Sequence, residues 1–213
     1  MAETTISWTG SLGPDGVWRP GYTANFWLGC QRVSPGCTKC YAEQRVTVRM
    51  RLPVWGPPST TPRRRTKYPW KSIPRWNREA RASGLRRKVF VASLSDFFED
   101  HPMVTAWREE AFPVLEDATD LDILFLTKRI ENVAGMVPAA WLRPGGWPAH
   151  CWMGTTMEDA ARADARVRHL LRLPAPVLFA SAEPLLEDPA LDAWLVPTDR
   201  PHASCLGCGF RPE

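Results

Sequence analysis

The sequence predicts an α/β protein in which repeated βα units build a parallel sheet. Three observations predict it. Apolar runs of four to six residues (Val89–Ala92, Ile123–Leu126, Cys151–Thr156, Val177–Ala180) alternate with stretches of helical pattern, as strands buried on both faces do. Polar residues gather where each run ends. They are Ser93, Ser95 and Asp96, then Thr127, Lys128 and Arg129, then Thr155, Thr156 and Glu158, then Ser181 and Glu183, with a cysteine cluster earlier in the chain. No Gly-x-Gly-x-x-Gly opens the first helix, so a dinucleotide fold has no support. In parallel α/β folds the carboxyl ends of the strands form the site, so these five clusters are expected to converge.

Length and composition set the bounds. A chain of 213 residues that is 44% hydrophobic can bury one substantial core. The expected organisation is a single domain over residues 1–195, a basic, tryptophan-rich insertion at about 51–87, and an irregular tail over 196–213. No apolar run approaches the roughly 20 residues of a membrane-spanning helix. Met1-Ala2-Glu3-Thr4-Thr5 lacks the basic flank and apolar stretch of a secretory signal. Of the six cysteines three are bunched at metal-like spacing, which points to a reducing compartment rather than a disulfide scaffold. The expected location is cytoplasmic, with no membrane partner.

Taken in order, residues 1–24 are rich in Gly and Pro, with Trp8 and Trp18 between the turns, and read as chain packed across one end of the fold. Phe26-Trp27-Leu28 reads as a first strand feeding the cysteine loop. That loop, Gly29–Tyr41, places Cys30, Cys37 and Cys40 within eleven residues at C-x6-C-x2-C spacing. Three thiolates from one loop suit a metal that keeps one position open, such as a four-iron cluster with one unligated iron. A structural zinc closes its shell with four protein ligands and would need a distant partner; unmetallated cysteines are the third alternative. Tyr41–Met50 lacks Gly and Pro and reads as a helix.

Residues 51–87 read as irregular and basic. Between Arg45 and Lys88 stand 14 of the 27 Lys and Arg residues and a single acid, Glu79. Such an excess reads either as a surface facing a polyanion or as a solvated loop. Arg63, Arg64 and Arg65 with Trp70 and Trp76 are the candidate nucleic-acid residues, because indole rings stack on bases while cations hold phosphates. The alternative for the two tryptophans is that they anchor the segment to the core.

Beyond Lys88 the chain is regular. Helices are expected over Val104–Leu115, about Ile130 to Val137 and Asp159–Leu171, the last opened by Asp159 as its N-cap. Cys151 reads as a small core residue, and His101 and His169 as structural, since neither has metal-ligand spacing. The tail carries no strand or helix pattern. It holds His202 and a C-x-x-C of Cys205 and Cys208, and reads either as a flexible tail or as part of a metal site.

A three-cysteine loop after the first strand of a βα-repeat chain resembles the radical S-adenosylmethionine superfamily. More closely, Gly29-Cys30, Val33-Ser34-Pro35-Gly36-Cys37 and Cys40-Tyr41-Ala42-Glu43 resemble a phage and prophage family with a three-cysteine motif and no assigned reaction. The match continues through Pro74–Arg78, Val89–Asp96, Leu126–Arg129 and Ser181–Leu186, and covers roughly residues 5–195. The superfamily's usual spacing is C-x3-C-x2-C with an aromatic before the third cysteine. Here the first gap is six and Lys39 stands in the aromatic's place. The phage family continues into a Gly-Gly-Glu-Ser-Gly-like turn; nothing of that kind follows Leu195, so a partial (β/α) barrel truncated at its C-terminus is expected.

The resemblance implies that Cys30, Cys37 and Cys40 ligate a 4Fe-4S cluster whose fourth iron takes S-adenosylmethionine. Reductive cleavage of that cofactor, with an electron donor protein as partner, would yield a radical that attacks a nucleotide or nucleic-acid substrate. Ser93, Ser95, Asp96, Lys128, Arg129 and Glu183 are the expected cofactor-binding residues, the cations suited to carboxylate or phosphate. The competing reading is a zinc-stabilised nucleic-acid-binding module without catalysis, its shell completed by Cys205, Cys208 or His202.

Overall fold

The computed structural model describes residues 3–190 and Trp194 of the chain. It opens with a hairpin of β1 (Ser11–Leu12) and β2 (Trp18–Arg19), followed by β3 (Tyr22–Ala24) and β4 (Trp27–Leu28). After the cysteine loop comes α1 (Tyr41–Glu43), which widens into π-type turns over Gln44–Arg49. Then follow β5 (Arg64–Arg65), α2 (Pro69–Ser83), β6 (Arg87–Val91), α3 (Pro102–Glu116), β7 (Leu121–Thr127), α4 (Val133–Met136), β8 (Cys151–Thr156), α5 (Ala160–Leu170) and β9 (Leu178–Ser181).

The main sheet has the order β3-β6-β7-β8-β9, all parallel. Each strand lies beside its predecessor, so right-handed crossovers carry the connecting helices over one face. Alternate strand residues confirm the division. Val89, Val91, Ile123, Phe125, Cys151 and Met153 share one buried core with Ile73 and Trp76 of α2, and with Val104, Phe112 and Leu115 of α3. The opposite face presents Lys88, Phe90, Trp152 and Phe179, and the N-terminal segment covers it. Trp8 packs 4.8 Å from Phe90 and 6.2 Å from Phe179, while Lys88 Nζ donates to the Gly10 carbonyl at 3.2 Å. Gly154 leaves the room Phe179 needs, since a Cβ there would meet that ring at 2.4 Å. Among the described residues β3 and β9 remain the edges of the sheet, which is open.

Three expectations are corrected. The first strand of the main sheet is Tyr22–Ala24, not Phe26–Leu28; Trp27 and Leu28 instead pair antiparallel with Arg65 and Arg64 in a separate ribbon. The stretch 51–87 is not irregular throughout, because Pro69–Ser83 is helical. Pro69 at its first turn and Gly84 at a left-handed C-cap (φ 67) delimit it, and Ile73, Trp76 and Ala80 form its buried stripe. Only Tyr41–Glu43 of the helix expected over Tyr41–Met50 is α-helical. Asp159 does cap α5, its carboxylate accepting from the Arg162 amide at 2.8 Å. The tail with His202, Cys205 and Cys208 lies outside the described residues.

Candidate functional site

The cysteine loop hangs over the carboxyl ends of the sheet. Gly29, at φ 107, turns the chain out of β4, and a Cβ there would stand 2.2 Å from the Val54 carbonyl oxygen. Its amide donates to the Leu94 carbonyl at 3.2 Å, docking the start of the loop on the turn after β6. Ser34 then leads a single tight turn, Pro35–Cys37, and Cys40 stands at the start of α1. Cys30 and Cys37 are buried and Cys40 is half-buried; all three are free thiols.

One cavity of about 620 Å³ gathers the site. Cys30, Cys37, Cys40, Ser93, Ser95, Asp96, Lys128, Arg129 and Glu183 all line it, so every residue expected to hold metal or cofactor faces the same space. Thr127, Thr156 and Ser181 complete the contribution of the strand ends. Ile6, Trp8, Phe90 and Leu126 give the cavity an apolar part. Its volume falls in the usual range for small-molecule and cofactor sites. A second cavity, of about 450 Å³, shares Arg32, Lys39 and Cys40 with the first.

The polar groups are not equally free. Asp96 accepts from Thr127 Oγ1 at 2.7 Å, from the Phe98 amide at 3.0 Å and from Arg129 Nη1 at 2.9 Å, so its carboxylate organises the wall. Arg129 Nη1 also donates to Cys30 Sγ at 3.5 Å, and Nη2 donates to the Gln31 carbonyl at 2.7 Å. Burial pushes the Cys30 thiol well above its ordinary pKa, against the pull of the Arg129 charge. A thiol in that position loses its proton to solvent readily only when a bound cation stabilises the thiolate. Lys128 Nζ pairs with Glu158 Oε1 at 3.1 Å, and Ser93 Oγ bonds Asn25.

Ser95 differs from its neighbours. Its hydroxyl is buried and has no hydrogen-bond partner among the described residues, a condition otherwise met only by Trp27 Nε1. A buried hydroxyl without a partner is uncommon and calls for an explanation. Glu183, which also lines the cavity, is exposed and makes no ion pair among the described residues.

Cys30, Cys37 and Cys40 are the side chains that could hold a metal or cluster at this site. Three free thiols on one loop share the cavity, and an iron–sulfur cluster distributes its thiolates over separate corners. A single zinc ion instead draws four donors to about 2.0–2.3 Å of one point. Among the described residues no three His, Cys, Asp or Glu side chains are gathered as a metal site, so neither a zinc ion nor a cluster is favoured by their arrangement.

The candidate nucleic-acid residues are scattered in their fates. Arg63 is buried, its guanidinium forked onto Glu99 at 2.7 and 2.8 Å, and is not a surface cation. Trp76 is buried and stacked 4.3 Å from Tyr22 as an anchor of α2, so no base reaches it. Trp70 packs edge-on against Phe26 and carries Arg65 over its ring at 4.5 Å, and Arg65 also pairs with Glu110. Arg64 alone of the five is exposed and uncommitted among the described residues.

Glu158 is the residue that sequence reasoning passed over. It was legible only as one of several polar residues after a strand. In the structure it is fully buried, with partners on the cysteine loop, Lys128 and Arg166.

A family model described as "Protein of unknown function (DUF5131)" matches residues 3–196. No curated protein and no solved structure matches the chain.

Proposed function

The chain belongs to the DUF5131 family, proteins of unknown function, and from its cysteine-lined cavity we propose an iron–sulfur enzyme of the radical S-adenosylmethionine type that modifies a nucleotide or nucleic acid. One observation carries the reading: three free thiols and polar residues from four strand ends line a single cavity of about 620 Å³. Cys30, Cys37 and Cys40 would hold three irons of a 4Fe-4S cluster, leaving the fourth for S-adenosylmethionine. That pair, when bound, supplies one-electron chemistry for taking a hydrogen atom from a substrate.

The chain's own residues perform the remaining tasks. Arg129 sets a fixed positive charge beside Cys30, offsetting the negative charge a ligating thiolate brings into a buried wall. Ser95 offers its unpartnered hydroxyl to a polar group of the cofactor, and Glu183 offers an exposed carboxylate suited to a hydroxyl or ammonium. Trp8 and Phe90 exclude water from the apolar side. An electron donor protein would deliver the electron, and a reducing cytoplasm would keep the thiols free. No helix of the described residues is long and apolar enough to cross a membrane.

A polyanionic substrate is supported by cations at the surface. Arg45, Arg49, Arg51, Arg64 and Lys67 are exposed and make no ion pair among the described residues. Anaerobic reconstitution with iron and sulfide tests the proposal. A brown protein with broad absorbance, lost when Cys30, Cys37 or Cys40 becomes Ala, followed by release of 5′-deoxyadenosine on reduction, is the expected result. Colourless protein holding one tight zinc would move the reading to the zinc-stabilised binding module.

A further inference from the structure

Glu158 follows β8 and lies directly before the Asp159 that caps α5. The helix therefore does not need it, yet its carboxylate is completely buried. Its Oε1 accepts from Ser34 Oγ at 2.8 Å and pairs with Arg166 Nη1 at 3.0 Å and Lys128 Nζ at 3.1 Å. Its Oε2 accepts from the Gly36 amide at 2.9 Å. Two cations hold the carboxylate in place, and it spends its remaining bonds on the turn between Cys30 and Cys37, 122 and 124 residues away in sequence. Ser34 Oγ also stands 3.6 Å from Cys37 Sγ, so one hydroxyl joins the carboxylate to the sulfur. The approach needs a glycine: a Cβ at Gly36 would lie 2.4 Å from Glu158 Cδ.

We infer that Glu158 is the positioning residue of the cysteine loop, fixing the Ser34–Cys37 turn and thereby the place from which Cys37 presents its sulfur to the cavity. The metal-holding purpose of that placement rests on the proposed function; the placement itself does not. The bonds from Ser34 Oγ and the Gly36 amide make the position of this turn depend on one carboxylate anchored elsewhere in the fold.

Five variants decide it: Glu158→Gln, Gly36→Ala, Ser34→Ala, Ser34→Thr, and Asp164→Ala as a control on the exposed side of α5. On the metal-free full chain, the rate at which a thiol reagent modifies Cys37 is followed by mass spectrometry. Iron and sulfide per chain are measured after anaerobic reconstitution. Glu158→Gln, Gly36→Ala and Ser34→Ala should expose Cys37 and hold iron about 10–100-fold less tightly. Ser34→Thr, which keeps the hydroxyl, and Asp164→Ala should match the unaltered chain. Unchanged Cys37 rates in the three disruptive variants overturn the inference. Should Glu158→Gln fail to fold, the contrast between Ser34→Ala and Ser34→Thr still decides. Should the unaltered chain take up no iron, the proposed function falls while the Cys37 rates continue to judge Glu158.

Discussion

Arg129 Nη1 stands 2.9 Å from Asp96 Oδ2 and 3.5 Å from Cys30 Sγ, so one guanidinium nitrogen serves both a carboxylate and a candidate metal ligand. The group continues inward. Arg129 Nη2 lies 3.7 Å from Glu99 Oε1, and Glu99 forks onto Arg63, whose side chain is wholly buried. Arg63 donates onward to the Val54 and Gly56 carbonyls, and the Gly56 amide returns a bond to the Cys30 carbonyl. The first cysteine is thus tied to the chain on both sides of one buried ionic network.

Arg129→Met tests that network. The change leaves Asp96 without its cation in a buried wall, and breaking such a pair costs about 3–5 kcal/mol. Urea denaturation of the metal-free protein should show this loss. The double variant Arg129→Met with Asp96→Asn should recover part of it, because the orphaned charge is then gone. A loss no larger than that of an ordinary surface change would dissolve the network as an energetic unit.

Arg63 and Arg64 adjoin in sequence and should behave oppositely. Arg63→Ala removes the partner of buried Glu99 and should lower stability by about 3–5 kcal/mol. Arg64→Ala should leave the melting curve within about 0.5 kcal/mol of the parent. If a single-stranded nucleic acid binds, Arg64→Ala should weaken it at low salt and reduce the slope of log K against log salt by roughly one contact. Titrations at several salt concentrations check this, and an unaltered slope removes Arg64 from the interface.

The same pair shows what the sequence could disclose. β6, β7 and β8 were legible because a strand buried on both faces must be apolar along its length, and nothing distant is needed to see that; β9, half-exposed at the edge, showed the same short apolar run. The convergence of the strand-end residues followed from parallel topology alone. The three-residue strand Tyr22–Ala24 lies among glycines and prolines and gave no such signal, whereas Phe26, Trp27 and Leu28 are apolar because their own side chains are buried, although the partner strand Arg64–Arg65 is exposed. In α2, the arginines around Trp76 draw attention to nucleic acid rather than to the stripe of Ile73, Trp76 and Ala80. Burial of Arg63 depends on Glu99, and that of Glu158 on Ser34 and Arg166. No local pattern announces a charge whose partner is chosen by the tertiary fold.

Glu158 makes a pH prediction. Burial alone would raise its carboxyl, but hydrogen bonds from Ser34 and Arg166, with the Lys128 charge, outweigh that and hold it at about 2. The folded value lies below the ordinary 4.5, so its stabilisation is complete above pH 4.5 and is lost as pH falls toward 2. A shift of that size corresponds to stability on the order of 3 kcal/mol. Stability measured from pH 6 to pH 2 should therefore fall more steeply in the unaltered chain than in Glu158→Gln, where this contribution is absent at every pH. Parallel curves would mean that the carboxylate is not held as described.

Ser95→Ala separates stability from binding. Every other hydroxyl named in the cavity wall has a partner or lies where water reaches it, but Ser95 Oγ is buried with none among the described residues. A buried hydroxyl left unpaired costs about 1–3 kcal/mol, and Ala removes the hydroxyl while opening almost no space. The ligand-free variant should therefore be as stable as its parent or more so, by up to about 1 kcal/mol in denaturant melts. Its affinity for S-adenosylmethionine, measured on the reconstituted protein, should fall by about three- to tenfold, the worth of one hydrogen bond. A structural serine predicts the reverse, lower stability with binding intact. The two measurements together thus tell whether the orphaned hydroxyl is there for the fold or for what the cavity holds.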